Sequence, residues 1–121
     1  MALILIIDDD DQFRRMLRQM LEHAGYEVAA ASDGEDGIRL NRERPADLVI
    51  TDLIMPEKEG LQTITELRRD FPESKIIAVS GGGRIDAKSY LDLAKKFGAV
   101  RTFAKPVEKE ELLSGIEEVL K

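Results

Sequence analysis

The chain holds 121 residues, with 24 acidic against 18 basic side chains and a formal net charge of −6. That length suits a single domain, residues 1–121, able to bury a proper core. The absence of cysteine excludes disulfides, thiolate metal sites and a cysteine nucleophile, and the acidity argues against direct nucleic-acid binding, which runs on basic patches.

The apolar start, Met1 to Ile7, is too short for a secretory signal, lacks a positive leader and meets Asp8, Asp9, Asp10 and Asp11. No run approaches the ~20 apolar residues of a membrane span, so a soluble, cytoplasmic protein with no membrane contact is expected. Leu3 to Ile7 reads as a strand buried on both faces. Phe13, Met16, Leu17, Met20 and Leu21 then recur at helical spacing, with Arg14, Arg15 and Arg18 opposite them and Gly25 at the expected C-cap. One of Asp10 and Asp11 is expected to N-cap this helix and the other to favour its positive end. Tyr26 to Ala31 reads as a second strand, and a weaker helix runs from Asp33-Gly34 to about Arg44, closed by Pro45.

Leu48 to Thr51 is the third strand, ending at Asp52. A loop with Met55-Pro56 and Gly60 leads to a helix marked by Leu61, Ile64, Leu67 and Phe71 and closed by Pro72. Lys75 to Ser80 is the fourth strand, Gly81-Gly82-Gly83 breaks the pattern, and a helix with Leu91, Ala94 and Phe97 ends at Gly98. Val100 to Ala104 is the fifth strand, and Leu112, Leu113, Ile116, Val119 and Leu120 mark the last helix. Strict alternation of strand and helix implies a parallel sheet covered on both faces. Five units are too few for an eight-fold barrel, which favours an open, three-layer, doubly wound α/β sheet.

In such a sheet the site lies beyond the carboxyl ends of the strands. Strand one ends in Asp8-Asp9, strand three in Asp52 and strand four in Ser80, while strand five runs into Lys105. Polar strand ends are ordinary one at a time. As a set, Asp8, Asp9 and Asp52 would repel one another without a cation, and Mg²⁺ is the hard, oxygen-seeking ion that suits them. A magnesium ion, Lys105 and the Ser80 hydroxyl would together neutralise and bind phosphoryl oxygens, with one carboxylate as nucleophile. His23, the sole histidine, falls late in the first helix and reads as a surface residue.

These residues resemble the response-regulator receiver domain of two-component signalling. The resemblance rests on Asp8-Asp9, the Asp52-Leu53-Ile54-Met55-Pro56 segment with Gly60, Ser80, and Gly98-Ala99 leading to Lys105-Pro106. It implies the flavodoxin-like (βα)5 fold with strand order 2-1-3-4-5. It implies Asp52 as phosphoacceptor, attacking the phosphohistidine of a histidine kinase or histidine phosphotransfer protein. Mg²⁺, replaceable by Mn²⁺, would be held by Asp9, Asp52 and the Ile54 backbone carbonyl, with Asp8 acting mostly through water. Ser80, Gly81 and Lys105 would bind the phosphoryl group, Gly81 being small enough to leave the site open to a donor. The Lys105-Pro106 bond would be cis, and hydrolysis of the acyl phosphate would reset the switch. Such a protein is a signalling phosphoacceptor, not an enzyme acting on an external substrate.

Three positions depart from the family pattern. Thr102 stands where many receivers carry the Tyr or Phe that turns inward as the serine moves, so a switch here would rest on Ser80 and Thr102 without the aromatic lever. Phe103 is adjacent but alternation points it to the other face. Val100-Arg101 replaces the acidic pair of many dimerising regulators, and Val107 follows Pro106 where Phe is common. Partners are expected at the first helix through Phe13, Arg14, Met16 and Arg18. The signal would pass to a downstream protein target or a fused effector, the chain being a stand-alone receiver or one domain of a larger protein. Competing readings are a haloacid-dehalogenase-type phosphohydrolase, suggested by Asp8-x-Asp10, a flavin-binding module of the same fold, and a degenerate receiver that only binds.

Overall fold

A computed structural model describes residues 2–53, 60–80 and 87–121, with no account of the side chains of residues 60 and 87–91. Ile54, Met55, Pro56, Gly81, Gly82 and Gly83 lie outside the described residues, as does the side chain of Leu91. In chain order the elements are β1 (Leu3–Ile7), α1 (Asp11–His23), β2 (Glu27–Ala31), α2 (Gly34–Glu43), β3 (Leu48–Asp52), α3 (Gly60–Asp70), β4 (Lys75–Ser80), α4 (Ala87–Phe97), β5 (Arg101–Ala104) and α5 (Lys109–Val119). All pairings are parallel and the strand order is β2-β1-β3-β4-β5. This is the doubly wound arrangement expected from the alternation, with the order implied by the family resemblance.

Strand alternation splits the core into two layers. Leu3, Leu5 and Ile7 of β1 join Val49, Ile76 and Ala78 against Ile38 of α2, Ile64 and Leu67 of α3 and Ala94 of α4. Ile4 and Ile6 join Leu48, Ile50, Ile77 and Val79 against Leu17 and Leu21 of α1 and Leu112 and Ile116 of α5. Both faces of β1, β3 and β4 are therefore dry, and their polar residues collect at the strand ends.

Local chemistry sets the element boundaries. The Asp10 carboxylate accepts from the Gln12 and Phe13 amides at 3.0 and 3.2 Å and caps α1, leaving Asp11 in its first turn. Asp33 caps α2 through the Asp36 amide at 2.8 Å. Gly25 (φ 99°) and Gly98 (φ 128°) take the left-handed conformation just past α1 and α4, as C-cap glycines do. Gly37 serves packing instead, since a Cβ there would lie 2.3 Å from Ile7 Cδ1.

Several expectations are corrected. β2 opens at Glu27 and β5 at Arg101, one residue later than read from Tyr26 and Val100. Val100 is 48% exposed. Phe97 is 47% exposed, whereas Ala94, which marks the inward line of α4, is buried. At 100° per residue Phe97 falls about 60° to one side of that line. Met16 in α1 is likewise 48% exposed, while Leu17 and Leu21 carry the burial. His23 is exposed, as expected.

Candidate phosphoryl site at the strand ends

Four strands deliver the site. Asp8 follows β1 directly, its amide hydrogen-bonded to the Ala31 carbonyl at 3.1 Å, so the sheet ladder extends to the carboxylate. Asp52 closes β3 and Ser80 closes β4. The Lys105 amide donates to the Ser80 carbonyl at 2.8 Å, which fixes where the lysine leaves β5. The Lys105-Pro106 peptide bond is cis.

Asp8, Asp52 and Ser80 are 1%, 5% and 0% exposed, whereas Asp9 faces solvent. Carboxylate oxygens of Asp8, Asp9 and Asp52 lie within 4.8 Å of one another. The Lys105 ammonium donates to Asp8 Oδ2 at 2.9 Å and stands 3.8 Å from Asp52 Oδ2. Asp8 Oδ1 accepts from the Asp10 amide at 2.9 Å. Among the described residues three carboxylates thus face one ammonium, an excess of negative charge that a divalent cation would offset.

Two observations test the fit to Mg²⁺ and a phosphoryl group. The donor set is all oxygen, as a hard cation requires. The buried Ser80 hydroxyl finds no hydrogen-bond partner among the described residues, which suits a group that binds an incoming oxygen. The residues present fit both.

The remaining expected residues fall as follows. Ile54 and Gly81 lie outside the described residues. Thr102 is half-buried in β5 beside Ala78, while Phe103 packs into the layer beneath α1 and α5, on the opposite face. Val107 packs into that same layer. Arg14, expected among the partner-facing residues of α1, is held largely within its own chain. Its guanidinium donates to the Asp8 carbonyl at 2.7 Å and pairs with Asp11, and its side chain is only 21% exposed. Arg18 is more open, pairing with Glu22 and reaching the Val28 carbonyl. Phe13, read as core or docking surface, lies under the site, with the Lys105 ammonium 4.2 Å from its ring centroid. Sequence reasoning missed both contacts. The only available signal was their position in the first turns of the helix that starts at the acidic edge.

Glu27 is held below the ordinary glutamate range by its hydrogen bonds from Arg44, and Asp70 below the aspartate range by Arg69. Among the described residues no helix is long and apolar enough to cross a membrane.

The haloacid-dehalogenase reading fails on geometry. Asp10, the second acid of its motif, caps α1 and is not in the carboxylate cluster. Comparison with known proteins decides the matter. The chain is 36% identical over 120 residues to Protein PilH of Pseudomonas aeruginosa, covering 99% of this chain and 98% of that protein. It is 33% identical over 119 residues to the chemotaxis protein CheY of Thermotoga maritima, with 98% and 97% coverage. To the transcriptional regulatory protein CpxR of Klebsiella pneumoniae it is 32% identical, and there it spans 49% of the relative's length. Against GlrR of Escherichia coli it spans 26%. The crystal structure of a response regulator receiver domain protein from Clostridium thermocellum superposes with a TM-score of 0.90 at 32% identity, covering 99% of this chain and 94% of that one. The model of the response regulator receiver domain matches residues 4–117, and with this fold and this acidic edge the chain belongs to that family.

Proposed function

We propose that the chain, read as one receiver domain over residues 1–121, accepts a phosphoryl group on Asp52 from the phosphohistidine of a histidine kinase or histidine phosphotransfer protein. The observation that carries this reading is the convergence of Asp8, Asp9 and Asp52 within 4.8 Å, with the Lys105 ammonium among them.

A carboxylate oxygen of Asp52 attacks phosphorus, an O–P bond forms, and the P–N bond to the donor imidazole breaks with its electron pair going to nitrogen. Mg²⁺, or Mn²⁺ in its place, would be held by Asp8, Asp9 and Asp52, with the Ile54 carbonyl as the family's further donor, and supplies positive charge to the phosphoryl oxygens. Lys105 turns from Asp8 to a phosphoryl oxygen, and the Ser80 hydroxyl donates to another, with Gly81 leaving room for the donor. Attack by water on the acyl phosphate returns the Asp52 carboxylate and inorganic phosphate.

A groove of about 420 Å³ between α1 and α5, lined by Phe13, Met16, Met20, Val107 and Leu112, offers the donor an apolar seat beside the site, while Arg14 and Arg18 lie on another face of α1, beside Ala30 of β2. Movement of Ser80 toward the phosphoryl group, with Thr102 in place of an aromatic lever, then signals to a target protein or a fused effector. The chain acts in the cytoplasm as a signalling phosphoacceptor, without binding nucleic acid or membrane through this domain.

Incubation with acetyl phosphate and Mg²⁺, followed by intact mass measurement, tests this. Wild type should gain one phosphoryl group and Asp52→Ala none. Labelling of Asp52→Ala would overturn the assignment.

A further inference from the structure

Lys105 is the one cation whose ammonium the structure places within 4 Å of both Asp8 and Asp52 among the described residues, and its surroundings contain a contact that phosphoryl chemistry alone does not require. The ammonium sits 2.9 Å from Asp8 Oδ2, 3.8 Å from Asp52 Oδ2 and 4.2 Å from the centroid of the Phe13 ring. Its side chain is 18% exposed. A cation this close to an aromatic face is held by the ring's quadrupole, more strongly where water is excluded.

The ring itself is firmly placed. The Phe13 amide is bound by the Asp10 cap, and the side chain packs against the layer beneath α1 and α5. Next along the helix, Arg14 grips the Asp8 carbonyl at 2.7 Å, which ties the first turns of α1 to the end of β1. Ring, lysine and Asp8 therefore share one rigid frame.

We infer that Phe13 is a positioning residue, a neutral seat on which the Lys105 ammonium swings from Asp8 to the phosphoryl group on Asp52. The inference deepens the phosphoacceptor reading and rests on it. An ammonium that must change anionic partners needs one contact that survives the change. A third carboxylate would survive it but would compete with the phosphoryl oxygens for the same N–H donors. An aromatic face attracts the charge while leaving those donors free to turn.

The test uses acetyl phosphate with Mg²⁺, a donor too small to need the α1–α5 groove, so loss of docking does not enter. Phe13→Leu should accept the phosphoryl group about three- to tenfold more slowly than wild type, while Phe13→Tyr, which keeps the aromatic face, should stay near the wild-type rate. In a Lys105→Ala background, Phe13→Leu should add no further loss. A wild-type rate in Phe13→Leu, or an equal fold-loss with and without Lys105, would overturn the inference and assign Phe13 to packing alone.

A second readout is independent of turnover. The ε-methylene proton resonances of Lys105 should lie upfield of those of the other lysines, through the ring current of Phe13, and should return to their range in Phe13→Leu. Ordinary positions in wild type would overturn the seat even if phosphorylation proceeds. Failure of wild type to accept any phosphoryl group, with the upfield resonances present, would instead overturn the phosphoacceptor reading and the swing with it, leaving only the resting contact of Lys105 with the Phe13 ring.

Discussion

Ser80 carries a hydroxyl that is fully buried and finds no partner among the described residues, and a buried hydroxyl left unpaired costs stability. Ser80→Ala should leave the melting temperature unchanged or raise it by the equivalent of up to about 1 kcal/mol, while slowing phosphoryl acceptance by about tenfold or more. Thermal unfolding and acetyl phosphate labelling of one preparation check both signs. A variant that is destabilised and labels normally would show that the hydroxyl has a structural task instead. At this scale the sequence was uneven in what it disclosed. Asp8, Asp9, Asp52, Ser80 and Lys105 were legible because strand ends in a doubly wound sheet meet at one edge. That Asp8 is buried and Asp9 exposed was not legible, because both follow the same strand and only packing separates them. The contact of Phe13 with Lys105 was hidden for a related reason: helical spacing marks an apolar residue without saying what lies over its ring.

The strands were read closely, β1 and β4 to the residue, because continuous apolar runs flanked by polar residues leave little choice of register. Helix faces were read less well. Phe97 and Met16 satisfy an apolar spacing yet stand half-exposed, since an apolar stripe can be wider than the face the sheet covers. Packing of α2 on β1 is closer than composition suggests. Gly37→Ala would gain helix propensity of about 1 kcal/mol. It would also drive a Cβ to 2.3 Å from Ile7 Cδ1, in a side chain with no exposed surface. Overpacking costs about 1–3 kcal/mol, so a net loss of stability is expected in denaturant unfolding, and a gain would show that Ile7 repacks freely. The start of β2 is tied to the end of α2 by Glu27, which accepts from Arg44 Nη2 at 2.7 Å. Glu27 is held below its ordinary range by that hydrogen bond. The pair's contribution is therefore present at neutral pH and lost as the pH falls through the depressed folded value. The melting-temperature gap between wild type and Arg44→Ala should be small at pH 7 and close in acid. A gap that widens in acid would contradict this sign.

Over the whole molecule, the two dry layers hold the strands rigidly enough to force like charges together at one edge. Asp52 stands 3.8 Å from the Lys105 ammonium and meets two further carboxylates within 4.8 Å. Wild type should gain stability on addition of Mg²⁺ and Asp52→Asn should lose most of that gain, as thermal unfolding with and without the ion will show. The most direct measurement is where the phosphoryl group resides. After incubation with acetyl phosphate, with Mg²⁺ or with chelator, peptide mapping by tandem mass spectrometry should place one added phosphoryl group on Asp52 in the Mg²⁺ sample and none in the chelated one. A phosphoryl group on any other residue, or labelling that persists without a divalent cation, would contradict the assignment of this acidic edge.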